Sequence, residues 1–308
     1  MPPKPVPIGL STALIAILVS ILWGGNVVSI RAGVDSVPPL WSAFWRMSVG
    51  VTFVTAWSLW RGVRVIPTRQ EILPLFALGA LFTVQIALMN TASALTSPAY
   101  GVVILNSYPI FANLAGHFGH RFAVHEAPIT GIRALGLALA LGGVAVLALG
   151  RPDAGLAPHP LLGNLLMVIS ACLLGVRQVY MRWLVQRVDP ARSILWQMVI
   201  SVPLFLLIAS VSEPLLLKPL TTEAICAILY QGVIVAGICF IIWAELLKKH
   251  AAGTLSMFSF IVPICGIYLS SLMFHETLAP GLFVGTALVL AGVFVVMRLG
   301  QSISEPAD

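Results

Sequence analysis

The chain has 308 residues, 59% of them hydrophobic and only 9% charged. Soluble domains carry roughly a quarter charged residues, so this chain cannot cover itself with a water-compatible surface; a bilayer is its consistent solvent. The formal charge of +6 sits at the ends of apolar runs, a placement that argues against a nucleic-acid face.

Ten apolar segments follow in chain order: 10–33, 40–60, 72–94, 99–118, 130–150, 160–182, 191–211, 223–247, 253–273 and 280–299. Each is near the ~20 residues that a helix needs to cross the hydrocarbon core. Strict polar–apolar alternation, the sign of a membrane β-barrel, is absent. The breaks carry Pro, Gly or charge, as at Val37-Pro38-Pro39, Arg61 to Arg69, Ser97-Pro98, Arg151-Pro152-Asp153 and Lys248 to Gly253. The first segment lacks a signal-peptidase-like end and reads as a retained span. The fold class expected is an all-α integral membrane protein of ten transmembrane helices. The four cysteines, Cys172, Cys226, Cys239 and Cys265, lie in apolar runs without a C-x-x-C pair and read as small buried residues.

Basic residues set the orientation. Lys4, Arg61, Arg64, Arg69, Arg121, Arg133, Arg182, Arg187, Arg192, Lys248, Lys249 and Arg298 fall on the side of the N-terminus. Arg31, Arg151 and Lys218 fall on the other, and Arg46 and Arg177 lie within spans. The positive-inside rule then places both termini in the cytoplasm.

One five-segment unit occurs twice. Y-P-I-F-A-N-L-A-G around Pro109, followed by His125-Glu126 and a glycine-rich run, returns as V-P-I-C-G-I-Y-L-S-S around Pro263, followed by His275-Glu276 and a similar run. Gly24, Pro39 and Phe44-Trp45-Arg46 return at constant offset as Gly175, Pro190 and Leu195-Trp196-Gln197. Five spans is an odd number, so the second unit (residues 151–308) is expected upside down relative to the first (1–150). Inverted repeats of this kind build carriers that expose one central site to either side in turn.

Enzyme signatures are missing. There is no G-x-x-x-x-G-K-[ST] loop, no G-x-S-x-G elbow, and neither H-E dipeptide continues to H-E-x-x-H. No enzyme activity, cofactor or metal is expected. No carboxylate maps to the middle of a span; Glu245 is the deepest and reads as a helix-end charge beside Lys248 and Lys249. Arg46 lies about six residues, roughly 9 Å, into the second span. It is either a clamp for a substrate carboxylate or a structural group bound to Asp35 or to helix-end carbonyls, with the structural reading weightier. Arg177 is expected to snorkel to the cytoplasmic end. The repeat pairs Arg46 with Gln197 and Asn26 with Arg177. Neutral polar and aromatic residues in the spans, Trp23, Asn26, Gln85, Asn90, Tyr100, Asn106, Tyr108, Gln178, Tyr180, Tyr230, Gln231, Trp243 and Tyr268, are candidates for a cavity wall or for helix packing. Pro109 and Pro263 are candidate hinges, because each removes a backbone donor. Gly281-x-x-x-Gly285 and the small residues Ala138, Gly142 and Gly143 suit tight helix packing or a homodimer face.

The W-G-G-N at Trp23–Asn26, Arg46 in the second span and the twice-used Pro, Glu, G-x₆-G order resemble the drug/metabolite transporter superfamily in its EamA-type ten-helix branch, over nearly the whole chain. The resemblance implies an inverted five-plus-five bundle. It implies a cavity walled by the third, fourth, eighth and ninth helices with parts of the first and sixth. By position, Trp23, Asn26, Gln85, Asn90, Asn106, Tyr230, Gln231 and Trp243 become its lining, and Glu126 and Glu276 match a structural loop-proximal Glu. The function expected is secondary export of small metabolites, amino acids first. Broad drug or toxic-cation export is the alternative, and a non-transporting scaffold with a packed interior is a third reading. The expected partners are a small-molecule substrate and the lipid bilayer, with no nucleic acid.

Overall fold

The computed structural model describes residues 9–118, 131–152, 155–216, 218–250, 255 and 257–299. Helices account for nearly all of it, with no strand among the described residues. In chain order they are α1 (Leu10–Gly33), α2 (Pro39–Trp60), α3 (Arg69–Leu95), α4a (Pro98–Leu105) and α4b (Tyr108–Phe118), α5 (Gly131–Ala148), α6 (Pro160–Leu184), α7 (Pro190–Ser212), α8, α9 and α10 (Pro280–Leu299). The eighth, α8, runs from Thr222 to Lys249 and changes from α-helix to π-helix over Tyr230–Cys239 and back; α9 is a 3₁₀ turn, Met257–Phe260, leading into Ile261–Phe274. These ten stretches fall where the hydrophobic runs place them. His125-Glu126 lies outside the described residues.

Helix starts follow local chemistry. Pro stands in the first turn of α2, α4a, α6 and α7, where its missing N–H has no helical partner to lose. Thr68 and Glu71 form a reciprocal capping box on α3, and Thr221 caps α8. Among the described residues, five helices are long and apolar enough to cross a membrane by length and composition alone: Leu10–Gly33, Arg69–Leu95, Pro160–Leu184, Pro190–Ser212 and Thr222–Leu246. Ala134–Ala148, Phe258–Phe274 and Pro280–Val296 are apolar but shorter.

The surface is inside out by the standards of a protein in water. Leu10, Leu73, Leu207 and Val211 are well exposed, whereas Arg46, Gln85, Asn90, Asn164 and Gln197 are buried. Apolar groups facing outward and polar groups facing inward match a hydrocarbon solvent.

Packing repeats with a period of five helices. α3 packs on α6 as α8 packs on α1; α4 packs on α6 as α9 packs on α1; α3 packs on α7 as α8 packs on α2. The pairs α5–α10, α2–α7 and α4–α9 each map onto themselves. Individual seats repeat as well. A methyl on Gly24 would stand 2.7 Å from Cys265 Cβ, 3.0 Å from the Val262 carbonyl and 3.1 Å from Gly266 N. One on Gly175 would stand 2.8 Å from Phe111 Cβ, 2.8 Å from the Tyr108 carbonyl and 2.6 Å from Ala112 N. These are the same three atoms, carried 154 positions along the chain (108 to 262, 111 to 265, 112 to 266). Gly79 against Ile200 and Gly232 against Val49 form a second such couple.

Some expectations change. The fourth span is not continuous: it breaks at Asn106-Ser107, and Pro109 opens α4b. Pro263 likewise stands in the first turn after the 3₁₀ segment. Both prolines therefore follow a backbone irregularity, where a missing N–H is tolerated. In the Gly281–Gly285 motif only Gly285 is packed, and Gly281 and Gly142 face open space. The tight crossing of α5 and α10 instead uses Gly136, Gly143, Gly285 and Gly292. Cys226 is exposed rather than buried. His275 adopts a left-handed φ of 50°, and that turn carries Glu276 back under α9. The Glu276 carboxylate accepts from Ser270 Oγ at 2.5 Å and from the Ala99 amide at 3.3 Å, joining α9 to the start of α4a.

Candidate functional site

The buried polar residues converge where the helices α1, α2, α3, α4, α6, α8 and α9 meet. A cavity of about 90 Å³ lies there. Trp23 and Asn26 of α1 line it, with Arg46 of α2, Gln85 and Met89 of α3, Leu174, Arg177 and Gln178 of α6, and Phe240 of α8. Asn106 and Tyr108, which flank the break between α4a and α4b, complete the polar part. The W-G-G-N sequence explains part of this placement. Gly24 lets α9 come close, and Gly25 leaves room for the Tyr230 hydroxyl, which donates to the Leu22 carbonyl. Trp23 and Asn26, on either side, are left to face the cavity.

Many of these groups have hydrogen-bonding capacity to spare. Gln85 Nε2 donates to Ser170 Oγ at 3.0 Å and Ser170 Oγ donates back to the Gln85 carbonyl at 3.0 Å, yet Gln85 Oε1 is buried without a partner. Asn26 Oδ1 and Trp23 Nε1 are buried and unpartnered too. Buried polar groups in finished cores are almost always satisfied. Asn106 Nδ2 donates to the Val102 carbonyl at 2.8 Å, and the Tyr108 hydroxyl lies 3.4 Å from Ser259 Oγ.

Two cations share the site. Arg46 is 1% exposed, and its Nε and Nη1 have no acceptor. Neither proposed structural partner holds it: Asp35 pairs with Arg31 at 3.3 Å, and no carbonyl accepts from Arg46 among the described residues. Arg177 is 6% exposed and does not snorkel. Its Nη1 donates to Gln197 Oε1 at 3.3 Å, its Nε is unpartnered, and its guanidinium lies 4.7 Å from the Phe82 ring centre and 5.8 Å from that of Phe240. Insertion scales put an Arg at mid-helix at about 2.5–3.5 kcal/mol. The aromatic faces offset part of that for Arg177 by cation–π attraction.

A second, smaller cavity of about 40 Å³ adjoins the first. Trp23, Arg177, Gln178 and Phe240 line both; Gln197 and Trp243 line only the second. Trp23 meets Trp243 and Phe240 edge-on, with ring centres 4.9 and 6.2 Å apart. Trp23, Phe240, Arg177 and Gln178, which line both spaces, stand between them.

Of the residues singled out in the sequence, Trp23, Asn26, Arg46, Gln85 and Asn106 meet in the larger cavity and Trp243 in the smaller. Asn90, Tyr230 and Gln231 line neither. Asn90 Nδ2 donates to the Ile86 carbonyl at 2.9 Å, Tyr230 struts α8 against α1, and Gln231 is fully buried. In the sequence Arg177 reads as able to snorkel, although the repeat sets it opposite Asn26; the structure places it at the cavity. Asn164 went unnoticed. It is fully buried, accepts from Thr96 Oγ1 at 2.5 Å and donates to the carbonyls of Leu147, Ala148 and Gly150 at 3.1–3.3 Å.

Comparison with known proteins agrees with this architecture. A crystal structure of 22% sequence identity superposes with a TM-score of 0.68 over 96% of this chain and 100% of its own, which establishes the shared fold. The uncharacterized transporter YoaV of Bacillus subtilis is 21% identical over 285 residues, spanning 91% of this chain and 94% of its own. A protein of Escherichia coli named a probable amino-acid metabolite efflux pump is 24% identical over 295 residues, spanning 92% and 93%. The profile of the EamA-like transporter family matches twice, over residues 10–149 and again over 161–298. A multi-pass helical bundle, a polar cavity at its centre and a double match covering most of the chain lead to one conclusion: the chain belongs to the EamA-like transporter family.

Proposed function

We propose that the chain is a secondary carrier of the cytoplasmic membrane that exports a small metabolite, an amino acid or a related compound, by alternating access. The observation that carries this reading is the central cavity, lined by buried polar atoms that lack protein partners, at the meeting of two sets of helices that pack alike. The period-five packing and the duplicated glycine seats support two inverted halves, residues 1–150 and 151–308. The basic-residue asymmetry supports cytoplasmic termini. Pro109 and Pro263, each just after a backbone irregularity, are the hinges in this scheme, and the rings of Trp23 and Phe240, which line both spaces, are the element that opens and closes.

The amino-acid assignment draws on the name given to the Escherichia coli relative and on the mixture of amide and aromatic groups in the cavity wall. Export of toxic cations fits less well: two guanidiniums, and no carboxylate among the described lining residues, repel a cation.

The test is counterflow in proteoliposomes. Vesicles preloaded with an unlabelled amino acid should accumulate the labelled form transiently and saturably. A broad amino-acid panel with no stimulated exchange would sink the amino-acid reading.

A further inference from the structure

Arg46 and Arg177 ask for something the chain does not supply. They come from different halves, and they line the same cavity. Arg46 has no acceptor among the described residues, and Arg177 has only the neutral Gln197. Buried charges are held by pairing, and two like charges left facing one space in a low-dielectric site favour an anion between them. Nearby ion pairs show that this chain pairs arginine where it needs to: Arg192 meets both oxygens of Glu71 at 2.8 and 2.9 Å. No Asp or Glu approaches Arg46 or Arg177 in that way among the described residues.

We infer that the transported substrate is a small organic anion whose oxyanion group, a carboxylate or a phosphate, is bound between Arg46 and Arg177. This deepens the proposed function and rests on it. Guanidinium forks match planar or tetrahedral oxyanions through paired N–H bonds, which a ligand without an oxyanion does not exploit. The rest of the wall sets the remaining chemistry. Asn26 Oδ1 and Gln85 Oε1 are free acceptors for an amine or hydroxyl, and Trp23 and Phe240 supply apolar faces for the body of the molecule. A net negative charge offsets the two unpaired cations, which a zwitterion of zero net charge does not.

The experiment uses the full chain in proteoliposomes, with four labelled probes exchanged in separate arms: glutamate and succinate as carboxylates, glycerol 3-phosphate as a phosphate, and leucine as a neutral zwitterion. Exchange of a carboxylate or the phosphate at rates well above leucine is expected, and the better arm identifies the oxyanion. Arg46→Gln should lower the apparent affinity for that anion about 10–100-fold, the loss expected for a hydrogen bond to a charged group, with Arg46→Lys in between. Thermal unfolding of each variant in detergent checks that the bundle is intact, and Arg177→Gln provides a second, independent reading. Leucine exchange without anion exchange would overturn the anion assignment and leave the carrier reading standing. Anion exchange unchanged in both folded Gln variants would also overturn it. Silence in all four arms and across the wider amino-acid panel would remove the carrier reading itself.

Discussion

Arg177 Nη1 donates to Gln197 Oε1 at 3.3 Å, and these two residues are the repeat counterparts of Asn26 and Arg46. All four stand in or beside one pair of adjoining cavities. Two pairs of positions at which the halves differ in charge are therefore gathered at a single place. Each half contributes one arginine and one amide, but the halves contribute them on different helices.

Gln197 orients Arg177 without neutralising it, so its loss should affect binding more than folding. Gln197→Ala is expected to raise the KM for the transported substrate by about 2–10-fold, the worth of one net hydrogen bond. Thermal stability in detergent should stay close to wild type. Flux titrations beside a melting curve separate the two effects.

The glycine seats make a symmetrical pair of stability predictions. Gly175→Val and Gly24→Val would each drive side-chain atoms into backbone of the opposing helix, at Ala112 and Gly266. Overpacking of this sort costs about 1–3 kcal/mol, with more where backbone is the obstacle. Both variants should melt earlier in detergent. Substitution at Gly142, where nothing lies within 4 Å, should leave the melting temperature unchanged.

Asn164 acts as a hub for the end of α5. Its side chain serves three carbonyls and one hydroxyl with no water-facing surface. Asn164→Leu removes the donor to those carbonyls and the acceptor for Thr96 and should cost about 2–3 kcal/mol, read as a lower melting temperature and reduced yield of folded protein.

Glu213 provides a pH test. It follows α7, and its carboxylate accepts from the amides of Leu40 and Trp41 at 2.9 and 3.3 Å. Burial pushes its carboxyl above the usual carboxylate range, with the two amide bonds opposing. An acid whose folded value is raised holds its proton longer in the native state than in the unfolded one. Its stabilising contribution is then present at low pH and lost as pH rises through the raised value. The melting temperature of wild type should therefore fall relative to Glu213→Gln as pH rises above about 4.5.

The ten helices were legible because hydrophobic length and Pro or Gly punctuation are properties of the chain alone. Residues 10–33 and 280–299 match α1 and α10 end to end. The break at Asn106-Ser107 and the π-helical stretch of α8 were not legible, since both are set by which neighbours the backbone meets. Arg46 stood out in the sequence because charge is rare inside spans, and the structure places it at the cavity. Arg177 was misjudged because distance from a helix end predicts snorkelling only when the side chain faces lipid, and here it faces Phe82, Phe240 and the cavity. Tyr230 was placed by depth as cavity wall, but Gly25 opens a niche that captures its hydroxyl against α1.

Alternating access requires one cavity that opens to each side in turn. Leu174 is an apolar wall residue beside Arg177. In a background with Cys172, Cys226, Cys239 and Cys265 replaced by serine or alanine, Leu174→Cys can be probed with a membrane-impermeant maleimide applied to right-side-out and to inside-out vesicles. The account predicts labelling from both faces, slowed from both by transported substrate. Labelling from one face only, whatever the substrate or its gradient, would contradict alternating access.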